Sequence, residues 1–588
     1  MPLVRRRAAG AADTAEAPEG SAGPAAQPPT PKDDPPADAG DANDAKLSDA
    51  LHGARQQWAK ARALPLGLGS GAVGALTFLA CGTRLWSLHL PATPVYDETH
   101  VGRFLNWYVD RAYFFDVHGP LAKLLMLWTS QALGFEGRAS CPYESSEPYA
   151  AECTLAPQRL VPALCGAAMV PLTFATCCAM RLHPYAATLA AWLVLVDTLW
   201  IGLSRLHLND MVQMLFIALT HYLALSACRA PNPGEPDRPL ARQALSLGAT
   251  GLALGCALQC KYAMALTTLA WLGLQNLVTL AQYARQRRGA RTLLGQAAQR
   301  GLLLLGIPFA VHLGLLRLHL SLLPNTGNGD GYMSAGFQAT LAGNAHATSG
   351  RSGPPLSFLQ LAWEHATAQL AYNRNMAILF PHGSHPFDSA WHTWPLARRG
   401  IYFNLVTDWG ALAADLGRAH SYGFFLHPNP LVTLLSTALT ALAAAALVAR
   451  GLSLLRPWRF AGRAAAAARL GTEFRPGGSG SLVLAYLLHW LPYATQDRQT
   501  FLIYYLPAYY FAILATARAW HAVGCSYLPP RLAAAATLAL ATAAARVSYT
   551  ISPIAYGSAV TLPEWTAALR LAATECWGGA SCFAGGGA

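Results

Sequence analysis

The sequence predicts an all-α protein that crosses a membrane many times, and three observations carry that prediction. Of the 588 residues, 53% are hydrophobic and only 12% are charged, and the mean hydropathy is +0.27, too apolar for a soluble enzyme of this length. Apolar stretches recur that are long enough to span a hydrocarbon core of about 30 Å, which takes about 20 helical residues. Barrel-like alternation is absent, so the spans are helices, which satisfy their own backbone hydrogen bonds in lipid.

Residues 1–60 are rich in Ala, Pro, Gly and Asp and hold almost no aromatic side chains, so they are expected to form a disordered cytosolic tail. Arg5, Arg6 and Arg7 would suit a transit peptide, but Asp13, Glu16 and Glu19 follow. A signal anchor formed by the first span is therefore expected.

The rest, 61–588, reads as one membrane domain. Spans are expected at 65–88, 159–181, 184–203, 211–228, 243–260, 262–283, 300–322, 429–449, 480–493, 500–517 and 532–552. That is about eleven helices, an odd count that puts the two termini on opposite sides. Arginines alternate between the connecting loops. The tail, Arg229, Arg238 and Arg242, then Arg285, Arg287, Arg288 and Arg291, then Arg456, Arg459, Arg463 and Arg469 share one side. The positive-inside rule makes that side cytosolic. The net charge of +12 is thus a topological signal spread over separate loops, with no single basic patch for nucleic acid.

Two large loops, 89–158 and 323–428, and the C-terminal tail 553–588 then face the opposite, luminal side. In the first loop Phe104, Leu105, Tyr108 and Val109, and again Leu121, Leu124, Leu125 and Trp128, recur at helical spacing. They suggest interfacial helices along the membrane or plain packing elements. Cys81, Cys165, Cys177, Cys178, Cys228, Cys256 and Cys260 fall in or beside spans as small core residues. Cys141 and Cys153 share the first loop and Cys576 and Cys582 the tail, which suits two disulfides in an oxidising lumen. No cysteine pair has zinc-site spacing, and the His382–His385 pair sits in a Pro/Gly-rich loop without further ligands. No metal is expected.

Asp97 and Glu98 stand together just beyond the first span. Paired acids at a membrane edge, in a chain so poor in charge, point to chemistry, although a solvated loop pair would have the same sequence. The neighbouring residues decide. Val95-Tyr96-Asp97-Glu98-Thr99-His100-Val101-Gly102 is followed by Phe114-Phe115-Asp116-Val117-His118-Gly119-Pro120-Leu121-Ala122-Lys123-Leu124-Leu125. Next come Ser204-Arg205 with Asp210, Cys260-Lys261-Tyr262, and Met333-Ser334 with Phe337-Gln338. His385-Pro386-Phe387-Asp388-Ser389, Trp394-Pro395-Leu396, Asn429-Pro430, and Arg498 through Phe501 to Tyr505-Leu506-Pro507-Ala508 close the series. This ordered set resembles the dolichyl-phosphate-mannose protein O-mannosyltransferases, in which a DE-H-G stretch precedes FFDVHPPLGKLL.

The resemblance implies a GT-C glycosyltransferase fold with luminal interfacial helices, in the endoplasmic reticulum membrane. It implies transfer of mannose from dolichyl phosphate mannose to Ser/Thr hydroxyls of luminal proteins. The partners implied are that lipid donor, the acceptor proteins, membrane lipids and a related transferase in a homo- or heterodimer. The lipid-linked sugar is a substrate, and no cofactor is expected.

A Ser or Thr hydroxyl is a poor nucleophile, so a carboxylate must take its proton as the anomeric carbon is attacked. Asp97 is the preferred base and Glu98 the residue that orients the acceptor; spacing alone does not separate the two. Direct displacement inverts the anomeric centre and needs a single base. The lipid phosphate that leaves requires cations. The matched blocks rank Arg159 and Arg498 first and Arg205 and Lys261 second, though any of the four would also suit snorkelling to headgroups. Arg84 and Asp210 are expected to support the site, Asp116 and His118 to position the sugar or its helix, and Tyr505 to support it as a matched position.

Three departures stand out. The family's eukaryotic members carry a β-trefoil MIR domain in the second large loop, where this chain has a short Ala/Ser/Gly/Pro bridge. Gly119 replaces a proline, and Tyr504 stands where histidine is common. Competing readings are another GT-C polyprenyl-phosphate-sugar transferase acting on a lipid or glycan, a non-catalytic partner subunit, and a transporter. The last predicts mid-span charges and an internal repeat, which the sequence lacks.

Overall fold

The computed structural model of the chain describes residues 66–143, 153–231, 239–348, 356–385, 387–404, 423–454 and 463–572. The N-terminal tail, Arg238, Pro386, Arg456, Arg459, Cys576 and Cys582 lie outside the described residues. The first expected span is α1, Leu66–Leu85, and the first large loop holds α2, Glu98–Val109, and α3, Leu121–Ala132. α4 (Ala156–Ala179), α5 (Pro184–Val196), α6 (Thr198–Ser204), α7 (Asn209–Ala227), α8 (Leu240–Leu258) and α9 (Tyr262–Arg285) follow. α10 runs unbroken from Ala290 to Leu322 with a π-helical turn at Leu302–Gly306. After the second large loop, with α11 (Phe358–Leu379), come α12 (Pro430–Ser453), α13 (Arg463–Glu473), α14 (Ser479–Trp490), α15 (Leu506–Ala522), α16 (Pro530–Tyr556) and α17 (Leu562–Ala572).

Every expected span coincides with a helix. Among the described residues, α4, α7, α9, α10, α12 and α16 are long and apolar enough to cross a membrane, and the bent pair α5–α6 makes a seventh. The other four expected spans correspond to α1, α8, α14 and α15. Of these, α14 and α15 are short, at 12 and 17 residues.

The 57° bend between α5 and α6 has a local cause. Asp197 breaks the helix with an extended backbone and caps the next one, accepting from the Leu199 and Trp200 N–H groups at 3.0 and 3.2 Å. Its other oxygen accepts from Asn429 N at 2.8 Å and from the Tyr509 hydroxyl at 2.7 Å. The orphan carbonyls at the end of α5 are satisfied by a distant side chain, as helix termini require. Arg84, buried near the end of α1, donates to Leu195 O at 2.7 Å and Val194 O at 2.8 Å. It therefore acts as a helix cap.

α15 is the centre of the bundle, buried without interruption from Leu506 to Ala517, and packs against α5, α12 and α14. α2 and α3 bury their apolar faces, Val101, Leu105 and Tyr108 in one and Ala122, Leu124, Met126 and Leu127 in the other. Both helices thus pack one face against the bundle, while Trp128 is 45% exposed. The Cys141–Cys153 disulfide is formed and closes the segment that leads into α4. Tyr143 lies over Gly102, where any Cβ would meet its ring at 2.4 Å, and donates to Gln158 Oε1 at 2.9 Å. Only glycine fits beneath that ring. A two-stranded antiparallel ribbon, β1 (Ile401–Asn404) and β2 (Gly423–Leu426), pairs Ile401 with Leu426. Tyr402 and Phe425 cluster with Ile551, Ile554 and Trp565 of α16 and α17.

Candidate active site

Asp97 and Glu98 are adjacent at the start of α2 and live in opposite environments. Glu98 is fully buried, as is Arg159, and the two form a bidentate pair: Nε to Oε1 at 2.8 Å and Nη2 to Oε2 at 2.7 Å. Val95 N and His207 N donate to the same carboxylate at 3.0 and 2.9 Å, and His207 Nδ1 lies 2.8 Å from Oε1. Burial alone would raise the carboxyl, but Arg159 and His207 hold it well below the ordinary carboxylate range. Arg159 also donates to Pro91 O at 2.8 Å and Leu88 O at 3.2 Å, which ties down the loop leading to Asp97.

Two expectations are thereby corrected. Glu98 cannot touch an acceptor, because both its oxygens are taken up inside the protein, and Arg159 cannot clamp a phosphate, because its donors are spent on Glu98 and the loop carbonyls. Arg205 is corrected on the same ground. It donates to the carbonyls of Trp86, Ser87 and Leu90 and stacks on Tyr556, 4.3 Å from the ring centre. The 86–98 loop has few backbone partners of its own, and buried carbonyls need donors. Two arginines supply them.

Asp97 occupies the cap position of α2, where an aspartate ordinarily accepts from the first-turn N–H groups. Here the side chain makes no capping bond, accepts no hydrogen bond from any described residue, and is exposed. Crowding by the surrounding protein pushes its carboxyl up. Lys261 and His100 oppose that rise, and the charges of Asp210 and Asp116 add to it. A raised, solvent-accessible carboxylate with no structural duty is what a general base requires.

A cleft of about 570 Å³ opens at Lys261, the cation whose charge reaches Asp97. Lys261, just before α9, and Arg498 line it together with His118, Tyr493 and Tyr504 and with the apolar side chains of Met264, Leu266, Ala366 and Leu370. Lys261 is anchored by Asp210, with Nζ 2.8 and 2.9 Å from the two carboxylate oxygens. Arg498 has no carboxylate partner among the described residues; its one hydrogen bond is a long one, 3.5 Å, to Asn373 Oδ1. Tyr504 stacks flat on Tyr493, with ring centres 5.5 Å apart. Tyr505, the expected supporting residue, points instead into the core, fully buried against Tyr486 and Tyr509.

His118 is set by its own loop. Lys123, buried in α3, pairs with Asp116 and donates to Gly119 O at 3.0 Å and His118 O at 3.3 Å. Burial would raise the Asp116 carboxyl, yet Lys123 and His118 hold it below its usual value. Burial pushes the His118 imidazole down to about 4, so it is neutral near pH 7. Behind it a cavity of about 10 Å³, lined by His312, His319 and His365, has room for about one water. The glycine at 119 is required. Its backbone presses on that of Gln259, and an added Cβ would lie 2.5 Å from Gln259 O, so the proline expected here would collide.

Several residues of the site escaped the sequence reading. His207 lies inside the Ser204–Asp210 block and Lys123 inside the Phe114–Leu125 block, but nothing marked either as a partner of an acid. Asp388 fixes the segment that carries Arg498. Thr500 N donates to its Oδ1 at 2.8 Å and His382 Nδ1 sits 2.7 Å from its Oδ2, so His382 of the HxxH pair serves a carboxylate.

With this geometry in view, comparison with known proteins is decisive. The family model described as dolichyl-phosphate-mannose-protein mannosyltransferase matches residues 74–323, and that of the C-terminal four-transmembrane region of protein O-mannosyltransferase matches residues 358–574. The chain belongs to the protein O-mannosyltransferase family. Over 279 residues, 46% of the chain, it is 32% identical to dolichyl-phosphate-mannose–protein mannosyltransferase 1 of Candida albicans. Over 314 residues, 52% of the chain, it is 31% identical to protein O-mannosyltransferase 1 of Drosophila pseudoobscura. These matches span only 30% and 33% of the two relatives' own lengths. Among solved structures, the S. cerevisiae protein O-mannosyltransferase Pmt1-Pmt2 complex bound to the sugar donor superposes with a TM-score of 0.71 at 19% identity. That match covers 86% of this chain and 92% of the other. The fold of this family member is accordingly the multi-pass membrane GT-C fold.

Proposed function

We propose that the chain transfers mannose from dolichyl phosphate mannose to Ser or Thr hydroxyls of proteins. The observation that carries this reading is the exposed, uncapped Asp97 within electrostatic reach of Lys261, which lines a cleft together with Arg498 and a set of apolar side chains. Asp97 accepts the hydroxyl proton as the acceptor oxygen bonds to the anomeric carbon. The bond from that carbon to the phosphate oxygen breaks on the opposite face, inverting the centre from β to α. Dolichyl phosphate leaves with the electron pair, and Lys261 and Arg498 offset its charge in a site of low dielectric. Tyr504, Tyr493 and neutral His118 shape the sugar end, and no cofactor beyond the lipid-linked sugar takes part.

In this reading the enzyme resides in the endoplasmic reticulum membrane with Asp97 luminal. It pairs with a related transferase, as the two named chains of the S. cerevisiae complex do. The test uses microsomes from cells expressing the full chain, supplied with labelled dolichyl phosphate mannose and a Ser/Thr-rich peptide. Label should appear on the peptide in a form released by an α-mannosidase. Label appearing only on lipid or glycan, or nowhere, overturns the proposal.

A further inference from the structure

We propose that the small cavity behind His118 is a binding site for one buried water, held by Gln259 and His365, and that this water fixes the His118 ring where it meets the cleft. The cavity, of about 10 Å³, is close to the least volume that holds a water, which also needs about two to four polar partners. Most polar groups around it are already engaged. Gln259 Nε2 and His312 Nδ1 lie 2.9 Å apart, His319 Nδ1 is 2.6 Å from the Tyr108 hydroxyl, and Gln369 Nε2 donates to Asp116 O at 2.9 Å. Asp116 itself is paired with Lys123.

Two buried atoms are left over. Gln259 Oε1 and His365 Nε2 have no partner among the described residues, although Gln259 is 1% and His365 5% exposed. The His118 imidazole, on the same cavity, makes no hydrogen bond to any described residue either. Buried polar atoms are rarely left unpaired, and three such groups around a space of this size call for one small molecule that both donates and accepts. Gln259 Oε1 only accepts. Burial pushes the imidazoles of His118 and His365 down to about 4, so near pH 7 each is neutral, with one donor and one acceptor nitrogen. Among the described residues no cluster of His, Cys, Asp or Glu is arranged to hold a metal ion. Water meets the requirement.

The site is built by close approach. Leu121 N donates to Gln259 O at 3.1 Å, and Gly119 leaves room for that contact, since a Cβ there would lie 2.5 Å from the same oxygen. On the other side His365 and Gln369, four residues apart on one face of α11, meet the His118 loop together. His118, Tyr262, His312 and Gln369 line both the cavity and the cleft, so the water lies directly behind the cleft wall. With one ring nitrogen of His118 held by the water, the other is kept for a ligand in the cleft. His365 is thus a positioning residue that acts through the water and His118 and touches no substrate.

The water site stands independently of the proposed reaction, and only the kinetic reading rests on that reaction. Electron cryomicroscopy of the full chain in lipid nanodiscs, at a resolution that shows ordered waters, tests the site. Wild type should show one density peak within hydrogen-bond distance of Gln259 Oε1 and His365 Nε2; an empty cavity overturns the inference. In His365→Leu the peak should vanish and the density of the His118 ring weaken, whereas His365→Gln, which keeps a polar end, should restore both. A His118 ring equally well ordered in His365→Leu refutes the positioning role. Where His365→Leu does not fold, wild type and His365→Gln still decide, because each must show the peak. In the mannose-transfer assay His365→Leu should raise the donor KM several-fold with kcat largely retained, and an unchanged KM also refutes the positioning role. Wild type that transfers no mannose breaks the proposed function instead, and the map alone then decides the water.

Discussion

Two sets of cations stand around the candidate site of this bundle, and they are used in opposite ways. Around the 86–98 loop, Arg159 and Arg205 are buried and spend their donors on a carboxylate and a row of carbonyls. In the cleft, Lys261 is held by one anchoring acid while Arg498 is left nearly unpartnered. The first set builds the platform that presents Asp97; the second is available to a ligand. The same contrast divides the two acids, Glu98 closed and Asp97 open. Proximity to an active site therefore says little about role, and the unsatisfied capacity of each group says more.

The sharpest way to break this contrast is Arg159→Ala. It leaves a buried, unpaired carboxylate and should cost about 3–5 kcal/mol, read as a large fall in the thermal midpoint of the purified protein in detergent. An unshifted midpoint would put Arg159 among the ligand-binding cations after all. Asp97→Asn should do the reverse. Turnover falls by roughly 10²–10⁴-fold, the usual worth of a general base, with the midpoint unchanged because the carboxylate holds nothing in place. Full activity in Asp97→Asn removes the base assignment.

Arg498→Ala is expected to weaken donor use by about 1.5–3 kcal/mol, the range for a charged hydrogen bond, or roughly tenfold to hundredfold in KM for the donor. A change confined to stability would make it a second structural arginine. The smallest and most discriminating effect is that of pH. The raised Asp97 carboxyl takes up its proton sooner on acidification than an ordinary aspartate, near 3.9, so activity should fall while most carboxylates are still ionised. The depressed Glu98 carboxyl contributes stability that is fully present above the unfolded value of about 4.3 and is lost only as pH falls further toward the folded one. Activity and the thermal midpoint should thus separate, activity failing first. Coincident profiles would mean that the two acids titrate as one.

Much of this was legible in the residues. The order of apolar stretches marked every helix that became a span, because hydrophobic length is a local property of the chain. The Cys141–Cys153 pair was legible from its shared loop, and both acids of the site from their motif. What was not legible is the division of labour inside each block. Tyr504 and Tyr505 are neighbours in a 3₁₀ turn, where successive side chains diverge by about a third of a turn, so one faces the cleft and the other the core. Gly119 looked like a loss from the pattern until the Gln259 backbone was found against it.

The sequence by itself determined the class of molecule: a helical membrane protein of this family with an acid pair at the end of its first span. Only the tertiary structure decided which charges are free. Glu98 and Arg159 are 61 residues apart and Lys261 and Asp210 are 51 apart. Charges buried in an apolar bundle must find partners, and those partners come from whichever helix the packing brings near. Asp97 remained open because, among the described residues, no helix brought a donor to its side chain.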